Sequence, residues 1–345
     1  MKIVADRNIP FLTGVFEPYA EIRYLDGKEI THEDLIDADA LIIRTRTKCG
    51  AAMLDGTRVK IIATATIGTD HIDLDYCKER NILVHNAEGC NAGGVMQYVF
   101  SSLYGVASRK FIKLNEGDNF GIIGVGHVGS LVEKMARYLG FNVMLCDPPR
   151  AAAEGPEGFC DLDTLLTSCR IVTMHTPLDE TTKNMANDEF FTKMRQGAIF
   201  INASRGEVVD EEALIEAVPK LGGVIVDTWR HEPYVNQRLM DLVDVATPHI
   251  AGYSYQGKQN GTASAVQAVA RCFGIQELYS FYPVDNEELH EPVKLDLKGK
   301  TQGEITAVFQ YNYPIFTDDF RFRMDPAGFE TMRSEYQYRR EIYVE

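Results

Sequence analysis

Asn119-Phe120-Gly121-Ile122-Ile123-Gly124-Val125-Gly126-His127-Val128-Gly129 is the stretch that decides the fold of this 345-residue chain. Phe120 to Val125 is an apolar run. Beyond it Val128, Leu131, Val132, Met135, Ala136 and Leu139 step by three and four, the spacing of one helix face. Gly124, Gly126 and Gly129 therefore stand where a buried strand becomes a helix, in the order G-x-G-x-x-G. Gly124 permits the tight turn, Gly126 lets a pyrophosphate approach the backbone, and Gly129 lets helix and strand pack closely. The helix N-terminus, at His127 and Val128, adds N–H groups and a partial positive charge. A second strand, Phe141 to Cys146, ends in Asp147. An acid about 20 residues past the glycines suits the adenosine ribose hydroxyls and repels a 2′-phosphate. The alternative is that Asp147 only starts the Pro148-Pro149 turn. The expectation is a dinucleotide site for NAD rather than NADP, with Arg150 as the residue that argues the other way.

From Asn119 the strand–helix alternation is regular. Strands are expected at 120–125, 141–146, 171–175, 198–202, 223–227 and 244–247, which makes a doubly wound parallel sheet of Rossmann type. Upstream, 2–5, 21–25, 40–45, 60–64 and 82–85 read as strands of a smaller α/β unit. Thr31, with Asp34 three residues on, has the look of a helix cap. Residues 93–110 read as a long helix of mostly apolar and small residues, leading from the first unit into the second. A helical pattern from Thr262 to Phe273 crosses back. The expected domains are 1–92 plus about 256–280, then 93–255, then 281–345. The last is rich in Tyr, Phe, Arg, Glu and Asp, too short for a large core of its own, and read as a small domain that docks on a partner.

The net charge of −15 argues against nucleic acid or an anionic membrane as the main partner. An acidic substrate then needs a local nest of Arg and Lys. Seven scattered cysteines, no C-x-x-C, no signal segment and no long apolar span indicate a reduced cytoplasmic protein without a thiolate metal site. No metal is expected.

Strand ends carry the chemistry, because ligands of open α/β sheets bind outside the carboxyl ends of the strands. Arg44-Thr45-Arg46-Thr47-Lys48 offers charge-assisted hydrogen bonds to an anion such as phosphate. Ala65-Thr66-Ile67-Gly68-Thr69-Asp70-His71 is a hydroxyl-rich turn whose N–H groups suit an anion. In the second unit the loops are His175-Thr176-Pro177, Asn202-Ala203-Ser204-Arg205-Gly206, Asp227-Thr228-Trp229-Arg230-His231-Glu232-Pro233 and Pro248-His249-Ile250-Ala251-Gly252-Tyr253. They share one sheet edge with Gly124 and are expected to converge.

The G-V-G-H-V-G turn, Asn202-Ala-Ser-Arg-Gly, Glu232-Pro233 and Pro248-His249, in that order, resemble the D-isomer-specific 2-hydroxyacid dehydrogenases over about residues 1–280. The resemblance implies a flavodoxin-like first domain that binds substrate. It also implies a C-terminal α+β dimerisation domain, hence a homodimer, and a small phosphorylated 2-hydroxy acid as substrate. It implies Arg205, Glu232 and His249 as the catalytic set. Gly124, Gly126, His127, Val128, Gly129, Asp147, Thr176, Ala203, Ser204, Arg205, Asp227 and Gly252 are then implied to hold NAD. Arg44, Thr45, Thr66, Gly68 and Tyr253 are implied to touch substrate. Chemistry agrees with the carry-over. An imidazole titrates near ~6.5 and can take a hydroxyl proton at neutral pH. A carboxylate beside it orients the ring, and a guanidinium fork grips a carboxylate. The alternatives are a family member with a different 2-hydroxy acid substrate, or a non-enzymatic protein that senses NAD.

Overall fold

The computed structural model describes residues 1–284 and 290–345. It divides into two compact units, Met1–Asn91 with Ser254–Glu291, and Ala92–Tyr253 with Pro292–Glu345.

The first unit is a five-stranded parallel sheet of β1 (Lys2–Asp6), β2 (Glu21–Leu25), β3 (Ala40–Ile43), β4 (Ile61–Thr64) and β5 (Leu83–Asn86), in the order β2-β1-β3-β4-β5. That is the doubly wound, flavodoxin-like order, with its switch point between β1 and β3. β3 and β4 are buried along their whole length, as central parallel strands covered on both faces must be. Thr31 caps the His32–Leu35 helix through its backbone N–H and its hydroxyl, both donated to Asp34. The returning helix is longer than its pattern, Tyr255–Phe273, with Ser254 as N-cap accepting from the Gly257 N–H. Gly257 and Gly261 dilute the apolar period of its first two turns. The Cβ that either lacks would meet the backbone of Asn91 or Ala65. Thr262 donates to Pro10 O at 2.7 Å and His85 bonds Ser264 at 2.8 Å, fastening this helix to its own unit.

The second unit holds a six-stranded, all-parallel sheet. Its strands are β6 (Asn119–Ile123), β7 (Asn142–Cys146), β8 (Ile171–Met174), β9 (Ile199–Asn202), β10 (Gly223–Val226) and β11 (Val245–Ala246). The order is β11-β10-β9-β8-β6-β7, so the chain reverses direction at β6, between β7 and β8. The glycine turn leaves the carboxyl end of β6, at that switch point. The Ala92–Arg109 helix lies in the core of this unit and is buried almost from end to end. An all-round apolar helix needs cover on every side. Phe100 stacks on Phe120 of β6 at 5.8 Å and on Phe309 of the tail at 6.1 Å.

Residues 292–345 share the hydrophobic core of the second unit rather than forming a third, separate one. Leu295, Leu297, Phe309, Tyr313, Ile315, Ile342 and Val344 join Val99, Phe100, Phe120 and Ile122 in one cluster. The expected segment 281–345 is therefore split: 281–284 goes with the first unit, and 285–289 lies outside the described residues. The tail is mainly helical (Gln302–Asn312, Ile315–Met324, Phe329–Ser334), with a two-residue parallel pair of β12 (Val293–Lys294) and β13 (Ile342–Tyr343). Asp319 accepts from the Ala246 N–H at 2.8 Å. Arg323 donates to Asp319 and to the carbonyls of Met240 and Val243. The short edge strand β11 is thereby covered by a helix.

Candidate active site

Gly124 has φ +83°, and a Cβ there would stand 2.8 Å from the His175 carbonyl. A Cβ at Gly129 would strike the Gly124 carbonyl. Both glycines are required by the fold alone. Gly126 is different: its φ is −76°, nothing stands within 4 Å of its missing Cβ, and it is exposed. It is the N-cap of the His127–Tyr138 helix and supplies no side-chain cap. Open space over an uncapped helix N-terminus fits a phosphate.

Asp147 ends β7. One carboxylate oxygen accepts from Val125 N at 2.7 Å and the other from Arg150 N at 3.0 Å. It therefore ties the glycine turn to β7 and also caps the Pro148–Glu154 helix, so the structural reading of Asp147 holds together with any ligand role. Arg150 is turned away into an ion pair with Glu154 at 2.7 Å and a bond to the Val125 carbonyl. Across the turn, the buried Thr176 hydroxyl has no hydrogen-bond partner among the described residues. An orphaned hydroxyl beside an open glycine turn fits a bound nucleotide. His175 bonds the Thr173 hydroxyl at 3.0 Å, and burial pushes its ring down to about 3, so it stays neutral.

After β9, the Asn202 side chain folds the turn on itself. Its oxygen accepts from the N–H and the hydroxyl of Ser204, and its nitrogen donates to the Arg205 carbonyl at 3.0 Å. Ala203 packs on the core. Gly206 lies against the Trp229 backbone so closely that any Cβ would collide. Trp229 in turn donates its N–H to Glu232 Oε1 at 3.0 Å, and Glu232 Oε2 lies 2.8 Å from His249 Nδ1. The turn bearing Arg205 is thus braced on the loop that bears Glu232, and Glu232 on His249. Burial works to raise the Glu232 carboxyl. The facing imidazole, its hydrogen bond, the Trp229 N–H and the Arg333 charge outweigh that and hold it below its ordinary value.

His249 sits at φ +55°, a left-handed conformation unusual for a residue with a side chain. Asp227 imposes it. The His249 N–H donates to the Asp227 carbonyl at 2.8 Å, and the Asp227 carboxylate collects the N–H groups of Ile250 and Ala251, each at 2.9 Å. The same carboxylate accepts from the Thr247 hydroxyl at 2.6 Å. That hydroxyl has one proton to give, so the buried Tyr98 hydroxyl, 2.8 Å away, donates to Thr247. Burial pushes the Asp227 carboxyl up against these donors. Tyr253, at the end of the turn, is edge-on to Tyr336 and Tyr338 of the tail, with Arg333 over its ring.

In the first unit Arg44 pairs with the buried Asp6 at 2.9 Å, which fixes a guanidinium at the end of β3 beside the exposed Thr45. At the end of β4, Thr64 and Thr66 share a 2.7 Å hydroxyl contact, and Asn86 donates to Ile67 O at 2.8 Å, just before the half-buried Gly68.

Residues 101–251 match the family model described as D-isomer specific 2-hydroxyacid dehydrogenase, NAD binding domain. A protein of Bacteroides fragilis named erythronate-4-phosphate dehydrogenase is 41% identical over 348 residues, covering 99% of this chain and 97% of its own. The chain belongs to the D-isomer-specific 2-hydroxyacid dehydrogenases. A second relative of the same name, from Ectopseudomonas mendocina, is 38% identical across 99% of this chain and 93% of its own. Among solved structures, NAD+-bound 3-phosphoglycerate dehydrogenase of Entamoeba histolytica is 26% identical at a TM-score of 0.67, covering 83% of this chain and 99% of that one.

For a 2-hydroxyacid dehydrogenase the second unit is thus an NAD-binding domain, and the glycine turn, Asp147 and Thr176 fit that cofactor. The parts that hold this dehydrogenase site in shape carry little signal in the sequence. Asn202 stands there only as part of a motif, Tyr98 as one more apolar helix position and Thr247 as a strand end. Arg333 and Arg339 lie in a tail that carries no motif. Only Asn202, followed by Ser204 at the spacing of a side-chain-closed turn, carried a usable local signal.

Proposed function

We infer that this protein oxidises 4-phospho-D-erythronate at C2 with NAD, giving (R)-3-hydroxy-2-oxo-4-phosphooxybutanoate, a step of pyridoxal 5′-phosphate (vitamin B6) biosynthesis. The observation that carries the reading is the full-length likeness to proteins named for that reaction. The finer sequence resemblance lies in Thr64–His71, Glu88-Gly-Cys-Asn-Ala92, Cys146-Asp-Pro-Pro-Arg150 and Pro248–Tyr253.

NAD supplies the hydride acceptor. The protein supplies the proton acceptor and the grip. His249 Nδ1 is engaged by Glu232, so Nε2 is the nitrogen left to take the C2 hydroxyl proton. Glu232 holds the ring at one angle and stabilises the imidazolium that forms. Arg205 takes the substrate carboxylate and polarises the C2 oxygen. Arg44, Thr45, Thr66, Gly68 and Tyr253 are assigned to substrate, with Arg44 serving the phosphate. Gly124, Gly126, His127, Val128, Gly129, Asp147, Thr176, Ala203, Ser204, Asp227 and Gly252 are assigned to the cofactor.

The test is NAD reduction by purified protein with 4-phosphoerythronate, 3-phosphoglycerate and unphosphorylated erythronate side by side. Turnover confined to the first is the expected result. Turnover of 3-phosphoglycerate instead keeps the catalytic set and discards the substrate. Tight NAD binding without any turnover would point to a sensor.

The tail helices leave Tyr311, Phe320 and Met324 exposed, which supports pairing with a second copy; a monomer by sedimentation at micromolar concentration would rule that out. Cys49, Cys77, Cys146, Cys160, Cys169 and Cys272 form no disulfide, which suits the reducing cytoplasm. No described helix is long and apolar enough to cross a membrane.

A further inference from the structure

Arg339 is buried in its own unit, and its guanidinium faces main chain rather than a carboxylate. Nη1 donates to the carbonyls of Ile250 at 3.3 Å and Tyr253 at 3.0 Å. Nη2 donates to the carbonyl of Gly94 at 3.1 Å and, more closely, to that of Ala251. Three of these four acceptors lie in the turn that begins at His249. The ring of Tyr313 lies 3.9 Å from the guanidinium carbon, and Nη1 also meets the Tyr336 hydroxyl at 3.0 Å. Charge balance comes at one remove, because Asp318 accepts from both tyrosine hydroxyls at 2.9 Å.

A buried cation is costly unless its donors are used. Anchoring a tail needs no such charge, since the Leu295, Phe309 and Ile342 contacts already do that. The arrangement around the turn gives the cation a use. Asp227 takes the N–H edges of Ile250 and Ala251, and Arg339 takes the C=O edges of the same two residues. The Ile250–Ala251 peptide unit is thus gripped from opposite sides by opposite charges, its C=O by Arg339 and its N–H by Asp227, and the peptide units before and after it are each held by one of the two. That holds His249 in its left-handed conformation and sets where Tyr253 begins.

We propose that Arg339 is a positioning residue for the oxidation, locking the 249–253 turn so that His249 meets both Glu232 and the substrate hydroxyl. The C-terminal segment thereby belongs to the catalytic unit of its own chain. This rests on the role assigned to His249 above. Misplacing a reacting group by about 1 Å costs on the order of 10²-fold in rate, and lysine offers a point charge in place of a planar fork.

The test is R339K, with R339A as a second variant. Trp229, the single tryptophan, reports on the turn without turnover, since its indole N–H donates to the Thr247 carbonyl at 2.9 Å and its backbone N–H to Glu232. R339K should fold and bind NAD, shift the Trp229 emission, and lose about 10²-fold in kcat, more than any change in KM. Millimolar guanidinium should restore part of the kcat of R339A. An R339K kcat within threefold of wild type, or an R339A that melts like wild type and is not rescued, overturns the proposal. Should the wild type fail to oxidise 4-phosphoerythronate, the substrate reading falls separately and the emission decides. A shifted Trp229 spectrum in R339K then supports the lock, and an unchanged one overturns it.

Discussion

His249 Nδ1 stands 2.8 Å from Glu232 Oε2, and the Trp229 N–H that steadies Glu232 belongs to the backbone against which Gly206 packs. Arg205, Glu232 and His249 leave three successive strand ends and are braced one on the next. Glu232 is the middle of that chain. E232Q should cut kcat/KM by about 10²-fold, within the range of a positioned acid–base pair. The variant also carries a pH signature. The Glu232 carboxyl is held below its ordinary value of about 4.3, so its contribution to stability is full above that pH and is lost as pH falls through the lower folded value. Melting temperature against pH should therefore drop more steeply below about pH 4.5 in wild type than in E232Q. Parallel curves would show that the pair does not stabilise the fold.

Two glycines of one turn should fail differently. At Gly126 the backbone suits any residue and the space above it is open, so G126A should melt close to wild type while its NAD dissociation constant rises at least about tenfold, a penalty near ~1.4 kcal/mol. At Gly129 a methyl meets the Gly124 carbonyl, so G129A should lower the melting temperature whether or not NAD is present. Calorimetry with and without NAD separates the two. A G126A protein that binds NAD normally would remove the pyrophosphate from this turn.

The strand–helix rhythm, the glycine turn and the loops bearing Arg205, Glu232 and His249 were legible in the sequence because each is local. An apolar run, a period of 3.6 and a strand end are all read within about 15 residues. The tail was not legible in this way. Phe309, Ile315 and Ile342 bury their faces on a helix more than 200 residues upstream, so their spacing has no period of its own to show. The left-handed His249 was equally hidden, since nothing in Pro248-His249-Ile250 states φ. It follows from Asp227, twenty-two residues earlier, collecting the N–H groups beyond it.

Asp147 caps a helix and stands where an adenosine ribose is expected, and one substitution separates those roles. Asparagine caps as well as aspartate, so D147N should keep the bond from Arg150 N and the Pro148–Glu154 helix, while its amide nitrogen can no longer accept from Val125 N. It loses the charge and that one acceptor. Its melting temperature should fall by only a few degrees, while preference for NAD over NADP narrows by about tenfold, an effect of ~1.4 kcal/mol. With Arg150 occupied by Glu154, the further change E154Q should free the guanidinium and improve NADP binding in D147N. Unchanged cofactor preference in D147N, measured by titration with both nucleotides, would reduce Asp147 to a cap.

His175 makes the acid side of the stability curve a test of burial. Its Nδ1 is buried without a hydrogen-bond partner among the described residues, its Nε2 meets the Thr173 hydroxyl, and burial pushes the ring down to about 3. An unfolded histidine takes its proton near ~6.5. Between those two values the unfolded chain binds a proton that the folded chain refuses, so stability falls as pH drops below about 6.5, at a rate of at most ~1.4 kcal/mol per pH unit. The upper part of this window, from about pH 6.5 down to about 4.5, lies above the one in which Glu232 acts, so the two groups are separable there. H175N removes the titration. Between pH 7 and pH 5 its unfolding free energy in urea should change less than that of wild type, even though the substitution lowers stability at neutral pH. Equal slopes for the two proteins would mean that His175 takes up its proton in the folded state as readily as in the unfolded chain.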